Sequence, residues 1–265
     1  MSPDAGRPAV PPAGEGGRVL ALGDIHGAAR ALDQVFERSG FDPGRDRLIC
    51  LGDICDGWPE VDRCFDLLLG LDRLTLILGN HDEWAAAWMQ RGEPPLGWYA
   101  QGGDATVDAY AVRAGVDPPM DPRSARALAR RVPPEHARLL ESALPYLIEM
   151  GDDGLRRLFT HAGWNPGRAP ASQDPYDLRL GRELWTQARL LERMGAGAGR
   201  RLTDYDEVYI GHTPTDWREP RPVLEIWNLD QGAGWDGVLT LMDVRSHESW
   251  QSDPVPGLYP GVQGR

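Results

Sequence analysis

The chain has 265 residues, of which 41% are hydrophobic; this permits one large α/β domain with a sizeable core and excludes wholesale disorder. Its 40 acidic residues against 28 basic ones give a formal net charge of -12, which argues against stable nucleic-acid binding, because a phosphate backbone requires a basic surface. No apolar run has the length of a membrane span and no signal-peptide core is present, so we expect a soluble, cytoplasmic protein.

Strand-type and helix-type segments alternate in the first third of the sequence. Residues 1–17 are rich in Pro and Gly and predict a flexible N-terminal tail. Three short apolar runs of strand type follow, at 18–23, 46–52 and 73–79. Two helix-type segments, 28–40 and 61–71, separate them. This alternation predicts βαβ units and a largely parallel sheet.

A helical insertion then interrupts the strand pattern, and we expect it to form a cap over residues 83–143 of a single domain that spans 18–250. Strand-type runs return after the cap at 155–163, 206–213, 223–230 and 237–244. One more helix-type segment, 182–195, lies between the first two of these runs. The segment 251–265 is again rich in Pro and Gly, which predicts a loosely held C-terminal tail.

Five strand-type runs end in a turn that carries Asp, His or Asn: LALGDIHG, LICLGDICD, LILGNHDE, LFTHAG and VYIGHTP. In open α/β sheets, functional groups gather beyond the carboxyl ends of the strands, and Gly at a strand end allows two backbones to approach closely. The side chains that these turns could bring together are Asp24, His26, Asp53, Asn80, His161 and His212.

These six side chains have the chemistry of a metal site. A lone Asp after a strand is usually a turn residue or a helix cap, but matching residues in five turns favour ligands. Carboxylate, imidazole and amide groups suit Mn, Fe, Zn, Co or Ni. Six ligands are too many for one tetrahedral zinc ion and suit two ions that share a carboxylate, an arrangement that acts on phosphate esters.

The motifs GDIHG, GD-x-x-D, GNHD/E, HAG and GHTP, in this order, resemble those of the calcineurin-like metallophosphoesterases. The resemblance covers about residues 18–245 and points to bacterial members of the phosphoprotein-phosphatase branch, which also includes symmetrical diadenosine tetraphosphatases. It implies an α/β fold in four layers, with two mixed β-sheets flanked by helices and a helical cap insertion. It also implies a phosphoric ester hydrolase.

The resemblance gives each motif residue a role. It implies two divalent cations, with Mn²⁺ favoured and Fe, Zn, Co or Ni as alternatives, and a hydroxide shared by the ions that attacks phosphorus directly. His81 would protonate the leaving group, and Asp56 would hydrogen-bond His81 and favour its protonated form. The first ion would be held by Asp24, His26 and Asp53, and the second by Asp53, Asn80, His161 and His212.

One motif departs from the pattern of this branch. The second motif usually reads GD-x-x-D-R-G, and its Arg binds the phosphate oxygens bidentately. Here Asp56 is followed by Gly57 and Trp58, so this arginine is missing. Arg189, in LWTQAR, is a candidate replacement, although an ordinary exposed helix residue would look the same. Trp58 is a candidate for the wall of the substrate pocket.

Three functions remain open on this sequence. The first is a protein-phosphatase-like enzyme that hydrolyses phosphate monoesters of a protein or a small molecule. The second is a nucleotide or phosphodiester hydrolase similar to a diadenosine tetraphosphatase, because loss of an arginine and gain of Trp58 suit a bulkier ester. The third is a noncatalytic regulatory module, although such a protein should have lost ligands or the acid, and this chain has lost neither. The oligomeric state stays open.

Overall fold

The computed structural model describes residues 11–119, 121–197 and 199–265, so most of the predicted N-terminal tail, residues 1–10, lies outside the described residues. The strands are β1 (Val19–Leu22), β2 (Arg47–Cys50), β3 (Leu74–Leu76), β4 (Tyr146–Met150), β5 (Arg156–Thr160), β6 (Glu207–Ile210), β7 (Pro222–Val223), β8 (Ile226–Asn228), β9 (Thr240–Asp243) and β10 (Ser249–Gln251). The helices are α1 (Ala29–Ser39), α2 (Val61–Leu69), α3 (Asn80–Arg91), α4 (Gly103–Ala114), α5 (Pro122–Ala129), α6 (Pro134–Glu141), α7 (Asp177–Leu180), α8 (Glu183–Arg193) and α9 (Val255–Leu258). None of these helices combines the length and apolar character that a membrane crossing requires.

The strands form two mixed sheets of five strands each, as predicted. In the first sheet, with the order β10-β9-β1-β2-β3, the pairs β1–β2 and β2–β3 are parallel, and β9 and β10 add an antiparallel edge. In the second, with the order β4-β5-β6-β8-β7, β5, β6 and β8 are parallel and the two edge strands are antiparallel. The expectation of a largely parallel sheet therefore describes only the centre of each sheet.

The alternation of side chains along the strands explains the four layers. Leu20 and Leu22 of β1 belong to the core shared with α1 and α2, whereas Ala21, between them, belongs to the core between the two sheets. Phe159 and Tyr209 of the second sheet reach the same central core, and their rings stack at a centroid distance of 5.0 Å. The sheets thus pack face to face, with helices on both outer faces.

The insertion of helices α3 to α6 is continuous with the core of the first sheet rather than separate from it. Trp98 and Tyr110 of this cap share one hydrophobic core with Phe65 of α2. His136 is buried there, with Nδ1 2.7 Å from the Tyr110 hydroxyl and its ring stacked on Phe65. The cap also contacts the turn that follows β2, since the backbone N–H of Gly57 donates to the carbonyl of Gly102.

Several segments differ from the sequence expectations. Strands β4 and β10 lie where no strand was predicted. The run 223–230 forms two short antiparallel strands, because Leu224 adopts a left-handed φ of +57° that reverses the chain. The segment 251–265, expected to be loosely held, is packed onto the domain: Val255 is fully buried and Tyr259 is 2% exposed, with its hydroxyl bonded to Glu60. The Pro and Gly residues of this segment predicted turns, but burial of Val255 and Tyr259 between them holds the segment on the domain.

Candidate metal centre and active site

The turns after the parallel strands bring the predicted ligands together around Asp53. Its Oδ2 lies 3.3 Å from Nε2 of His161 and 3.6 Å from Nε2 of His26. Asn80 joins on one side, with its Oδ1 3.2 Å from the same His161 nitrogen. Two groups of donor atoms, each within 4.8 Å of one another, share Asp53: they are Asp24, His26 and Asp53, and Asp53, His161 and His212.

Backbone carbonyls orient two of these imidazoles. Nδ1 of His26 lies 3.0 Å from the carbonyl oxygen of Cys55, and Nδ1 of His161 lies 2.8 Å from that of Leu51. A carbonyl can only accept, so in each neutral ring the proton sits on Nδ1 and the lone pair on Nε2 points towards Asp53. Both rings therefore direct a free Nε2 lone pair towards Asp53, which is the orientation that metal coordination requires.

Unpaired buried atoms show that this donor set fits bound cations. Oδ1 of Asp24 and Nε2 of His212 are buried and have no hydrogen-bond partner among the described residues. Three carboxylates crowd the pocket, since Asp24, Asp53 and Asp230 are 2%, 1% and 5% exposed. Burial and the charge of Asp230 raise the pKa of Asp24 well above its usual value. Divalent cations would satisfy the lone pairs and relieve the repulsion.

Backbone strain is concentrated in the same turns. Six non-glycine residues of the described chain have positive φ, and four of them lie here: His26 (50°), Asp53 (51°), Asp56 (72°) and His212 (66°). Such conformations cost about 1–3 kcal/mol each and persist where the surrounding structure enforces them. Their clustering is typical of a functional site.

The strand-end glycines make this convergence sterically feasible. A β-carbon placed on Gly79 would lie 2.1 Å from Oδ1 of Asp53, and one on Gly211 would lie 2.1 Å from Oδ1 of Asp24. Both distances are far below van der Waals contact. The Gly residues before Asn80 and His212 are therefore needed for room around the carboxylates of Asp53 and Asp24.

Replacing Gly79 by Ala tests this close approach. We expect Gly79→Ala to displace Asp53 and to lower phosphoesterase activity about a hundredfold, since a misplacement of about 1 Å has effects of that size. Gly70→Ala is the matched control, because a β-carbon there meets nothing closer than 3.4 Å. Full activity of Gly79→Ala, measured with purified protein, would contradict the steric role.

Asp56 and His81 form a buried pair beside the donor cluster. Nδ1 of His81 lies 2.6 Å from Oδ2 of Asp56. The Asp56 carboxylate also accepts two hydrogen bonds from the cap, from Nε1 of Trp98 at 2.7 Å and from Oγ1 of Thr106 at 2.6 Å. Neither Thr106 nor Trp98 is among the site residues predicted from the sequence. Trp98 is buried, and its indole N–H hydrogen-bonds the Asp56 carboxylate.

Burial decides the charge of the His81 ring in this pocket. It lowers the pKa of His81 to about 3; the charge of Arg265 acts in the same direction, and that of Asp53 opposes it. Burial likewise raises the pKa of Asp56, against the hydrogen bonds from Thr106 and Trp98. The ring is therefore neutral at neutral pH before substrate binds. The 2.6 Å contact with Asp56 orients the ring; that Asp56 favours the protonated form of His81 stays a prediction.

Removing the indole N–H of Trp98 tests the cap's contribution to Asp56. Trp98→Phe keeps an aromatic ring in the core but leaves Asp56 with one donor fewer, which costs about 1–3 kcal/mol for a buried polar group. We expect a lower melting temperature and a several-fold lower kcat, with an unchanged metal content. Trp88→Phe is the control, since Trp88 lies in the same core but donates to the carbonyl of Ala125. Equal kcat values for the two variants would exclude the positioning role.

The two predicted substrate-binding residues have different surroundings. Trp58 lies next to the cluster, since its backbone N–H donates to the carbonyl of His26 at 2.8 Å. Its side chain is 1% exposed, with the indole donating to the carbonyl of Ala233 and stacking on Tyr259, and it contributes to the lining of a cleft. Arg189 bonds Glu192 and lies 4.5 Å above the ring of Trp217. Within the described residues, no hydrogen bond or ion pair joins Arg189 to the cluster. Local sequence could not show these tertiary partners.

Comparison with known proteins identifies the family. The family model described as calcineurin-like phosphoesterase matches residues 17–216, which is more than half of the chain. The chain belongs to the calcineurin-like phosphoesterase family. It is 28% identical over 227 residues to serine/threonine-protein phosphatase 1 of Salmonella typhimurium, covering 86% of this chain and 92% of the relative. It is 26% identical over 273 residues to a symmetrical bis(5'-nucleosyl)-tetraphosphatase of Chromohalobacter salexigens, covering 86% and 95%.

Solved structures agree on the fold. The structure of a candidate diadenosine tetraphosphatase superposes with a TM-score of 0.61 at 19% identity, covering 90% of this chain and 93% of the other. The family match and the phosphatase-named relatives show that the chain is a hydrolytic phosphoesterase of the calcineurin-like type, a family that implies divalent metal ions. The relatives carry the names of both protein phosphatases and dinucleoside tetraphosphatases, so the family leaves the substrate class undecided.

A further arginine reaches the donor cluster of this calcineurin-like phosphoesterase from the far end of the chain. Nη1 of Arg265 lies 3.1 Å from Nε2 of His26. Arg265 also lines a cleft of about 1220 Å³ beside the cluster, together with Trp217, Trp235 and Gln231. No sequence signal pointed to Arg265, because it lies outside every motif and in a segment expected to be loose.

Asp82 is a positioning residue next to the motif histidine. Its buried carboxylate accepts hydrogen bonds from the backbone N–H of Ile54, at 2.8 Å, and of Cys55, at 3.3 Å. These two residues follow Asp53 directly in the chain. The start of α3 thereby holds the turn that carries the shared ligand.

Proposed function

We propose that this protein is a dimetal phosphatase that hydrolyses phosphate monoesters, in the manner of a protein phosphatase. The observation that carries the proposal is the pair of donor groups that share Asp53, with the Asp56–His81 pair beside them. Two cations held about 3.5–4 Å apart suit the in-line displacement of a phosphate ester. The relative named serine/threonine-protein phosphatase 1 supports the same reading.

Each donor group would hold one ion. We assign Mn²⁺ as the preferred metal, since the set combines oxygen donors with imidazole and lacks thiolate; Fe, Zn, Co and Ni suit it as well. When bound, the ions would supply an activated water and positive charge for the transition state. We assign the first ion to Asp24, His26 and Asp53, and the second to Asp53, Asn80, His161 and His212.

His81 is assigned as the general acid. Because Nδ1 donates to Asp56, Nε2 is the ring nitrogen that can deliver a proton to the leaving oxygen. The buried neutral ring must gain that proton as substrate binds, and a phosphate dianion beside it favours the gain. Asp56 then stabilises the imidazolium and keeps its orientation.

A second candidate function is hydrolysis of nucleotides or phosphodiesters. The cleft beside the cluster is wide, and Trp217 and Trp235 line it with aromatic rings that could stack on a base. Relatives named symmetrical bis(5'-nucleosyl)-tetraphosphatase support this candidate. The cleft is lined by the acidic residues Asp216 and Asp236 and by the basic residues Arg218 and Arg265, so it carries charges of both signs.

Metal analysis and a substrate panel test these assignments. Protein expressed with added Mn should contain about two ions per chain and should hydrolyse p-nitrophenyl phosphate and a phosphopeptide faster than bis-p-nitrophenyl phosphate or diadenosine tetraphosphate. A preference for the tetraphosphate would select the second candidate. Fewer than one ion per chain, with no turnover of any substrate, would instead leave a noncatalytic regulatory module.

A further inference from the structure

The side chain of Arg265 lies against the position where the second motif usually has an arginine. The motif pattern places an arginine at position 57, where this chain has Gly. A β-carbon on Gly57 would lie 3.1 Å from Cγ of Arg265, and one on Gly102 would lie 3.0 Å from the same atom. Both glycines have positive φ, of 94° and 91°. The side chain of Arg265 therefore passes close to two glycines, at positions where a β-carbon would crowd it and where the backbone conformation favours Gly.

The guanidinium ends at the donor cluster. Besides donating from Nη1 to His26, it is close enough to act electrostatically on His81 and Asp56. Nε of Arg265 is buried and has no acceptor among the described residues. A buried N–H without an acceptor is costly, and an anionic oxygen at the cluster would satisfy it.

The segment before Arg265 is built to hold it there. The backbone N–H of Arg265 donates to the carbonyl of Gly234 at 2.9 Å, and its guanidinium lies 5.2 Å above the ring of Trp235. Gly264 lies against the Trp58 indole, where a β-carbon would come within 2.8 Å of the ring. Trp58 also stacks on Tyr259. Both residues that depart from the second-motif pattern therefore contact the Arg265 segment. Gly57 leaves space for the Arg265 side chain, and the Trp58 ring packs against Gly264.

We propose that Arg265 is the arginine that binds the phosphate oxygens of the substrate in this chain, in place of the arginine missing at position 57. The proposal rests on the proposed function, because the phosphate it binds is the one held at the donor cluster. The alternative is that Arg265 blocks the metal site, because the guanidinium and a metal ion compete for the lone pair on Nε2 of His26. We call this alternative the plug role. The two roles predict opposite effects of removing the side chain's charge.

The test compares wild type with Arg265→Met and Arg265→Lys, each with an N-terminal affinity tag. The control Arg38→Ala removes an exposed arginine that holds the same segment through Gln251 and Asp253. Three quantities are measured: Mn content, the Kd for inorganic phosphate on the Mn-loaded protein, and kcat/KM for p-nitrophenyl phosphate. We expect Arg265→Met to retain its Mn and to bind phosphate about tenfold or more weakly, with a similar loss in kcat/KM.

Arg265→Lys keeps the positive charge but lacks the planar guanidinium that can bind a phosphate through two N–H groups. Its phosphate affinity should therefore lie between those of wild type and Arg265→Met. Arg38→Ala should match wild type in all three measurements. Phosphate affinity unchanged in Arg265→Met overturns the proposal, and tighter phosphate binding with faster turnover establishes the plug. Loss of Mn together with phosphate affinity would reassign Arg265 to a structural role. Wild-type protein without Mn or turnover would refute the proposed function separately, whatever the variants do.

Discussion

Asp53→Asn should leave the protein without either metal ion and lower kcat/KM on p-nitrophenyl phosphate by at least about a thousandfold. The reason is geometric: Oδ2 of Asp53 lies between His26 and His161, so one carboxylate serves both donor groups. A neutral amide cannot bridge two cations and removes one negative charge from a pocket that needs it. Mn analysis of protein purified in parallel with wild type measures the effect.

Variants of the unshared ligands provide the comparison for Asp53. Asp24 belongs to one donor group and His212 to the other, so Asp24→Asn and His212→Ala should each retain about one ion per chain. Asn keeps the shape of Asp53 and an oxygen that can accept from the backbone N–H of His81, which lies 3.0 Å away in the native protein. Circular dichroism should therefore show a folded variant. One firmly bound ion in Asp53→Asn would rule out the shared role.

His81→Ala should lower kcat by about 10²–10⁴-fold and leave the metal content unchanged, because His81 is beside the ligands but not among them. The loss should depend on the leaving group. A p-nitrophenolate ion departs without help, whereas the alkoxide of a phosphoserine peptide needs a proton. We therefore expect a much larger loss of kcat on the phosphopeptide than on p-nitrophenyl phosphate.

The histidine control for this experiment is His247→Asn. His247 bonds Glu207 at 2.7 Å and stacks on Trp227, in a left-handed conformation (φ 60°) that Asn tolerates. This variant should keep wild-type kcat on both substrates. An equal loss on the two substrates for His81→Ala would show that His81 positions the phosphate rather than protonating the leaving group.

The sequence alone predicted the parts of the site that are encoded locally. An apolar run followed by Gly and a polar residue describes a strand end and its turn within a few positions of the chain. Parallel strands place the turns of one sheet at one edge, so the prediction grouped the polar turn residues without coordinates. Asp53 and His161 follow strands of different sheets, and the packing of the two sheets brings them together. The same locality explains why most strands and helices were placed within a few residues of their observed ends.

The tertiary structure alone decided what surrounds those motif residues. Trp98 and Thr106, which fix Asp56, are 42 and 50 residues away from it, and Arg265 reaches His26 across 239 residues. No periodicity or spacing encodes such partners, because they meet through packing of the cap and of the final segment onto the sheet.

The stretch from Asp56 to Trp58 shows the division most clearly. Its sequence revealed that an arginine was missing, and Arg189 was the nearest replacement along the motif pattern, yet Arg189 packs against Trp217. Only the fold shows the space above Gly57 filled by a side chain from the other end of the chain. Sequence determined which chemistry the strand ends carry, since that depends on neighbouring residues; the structure decided which distant groups complete it, since that depends on long-range packing.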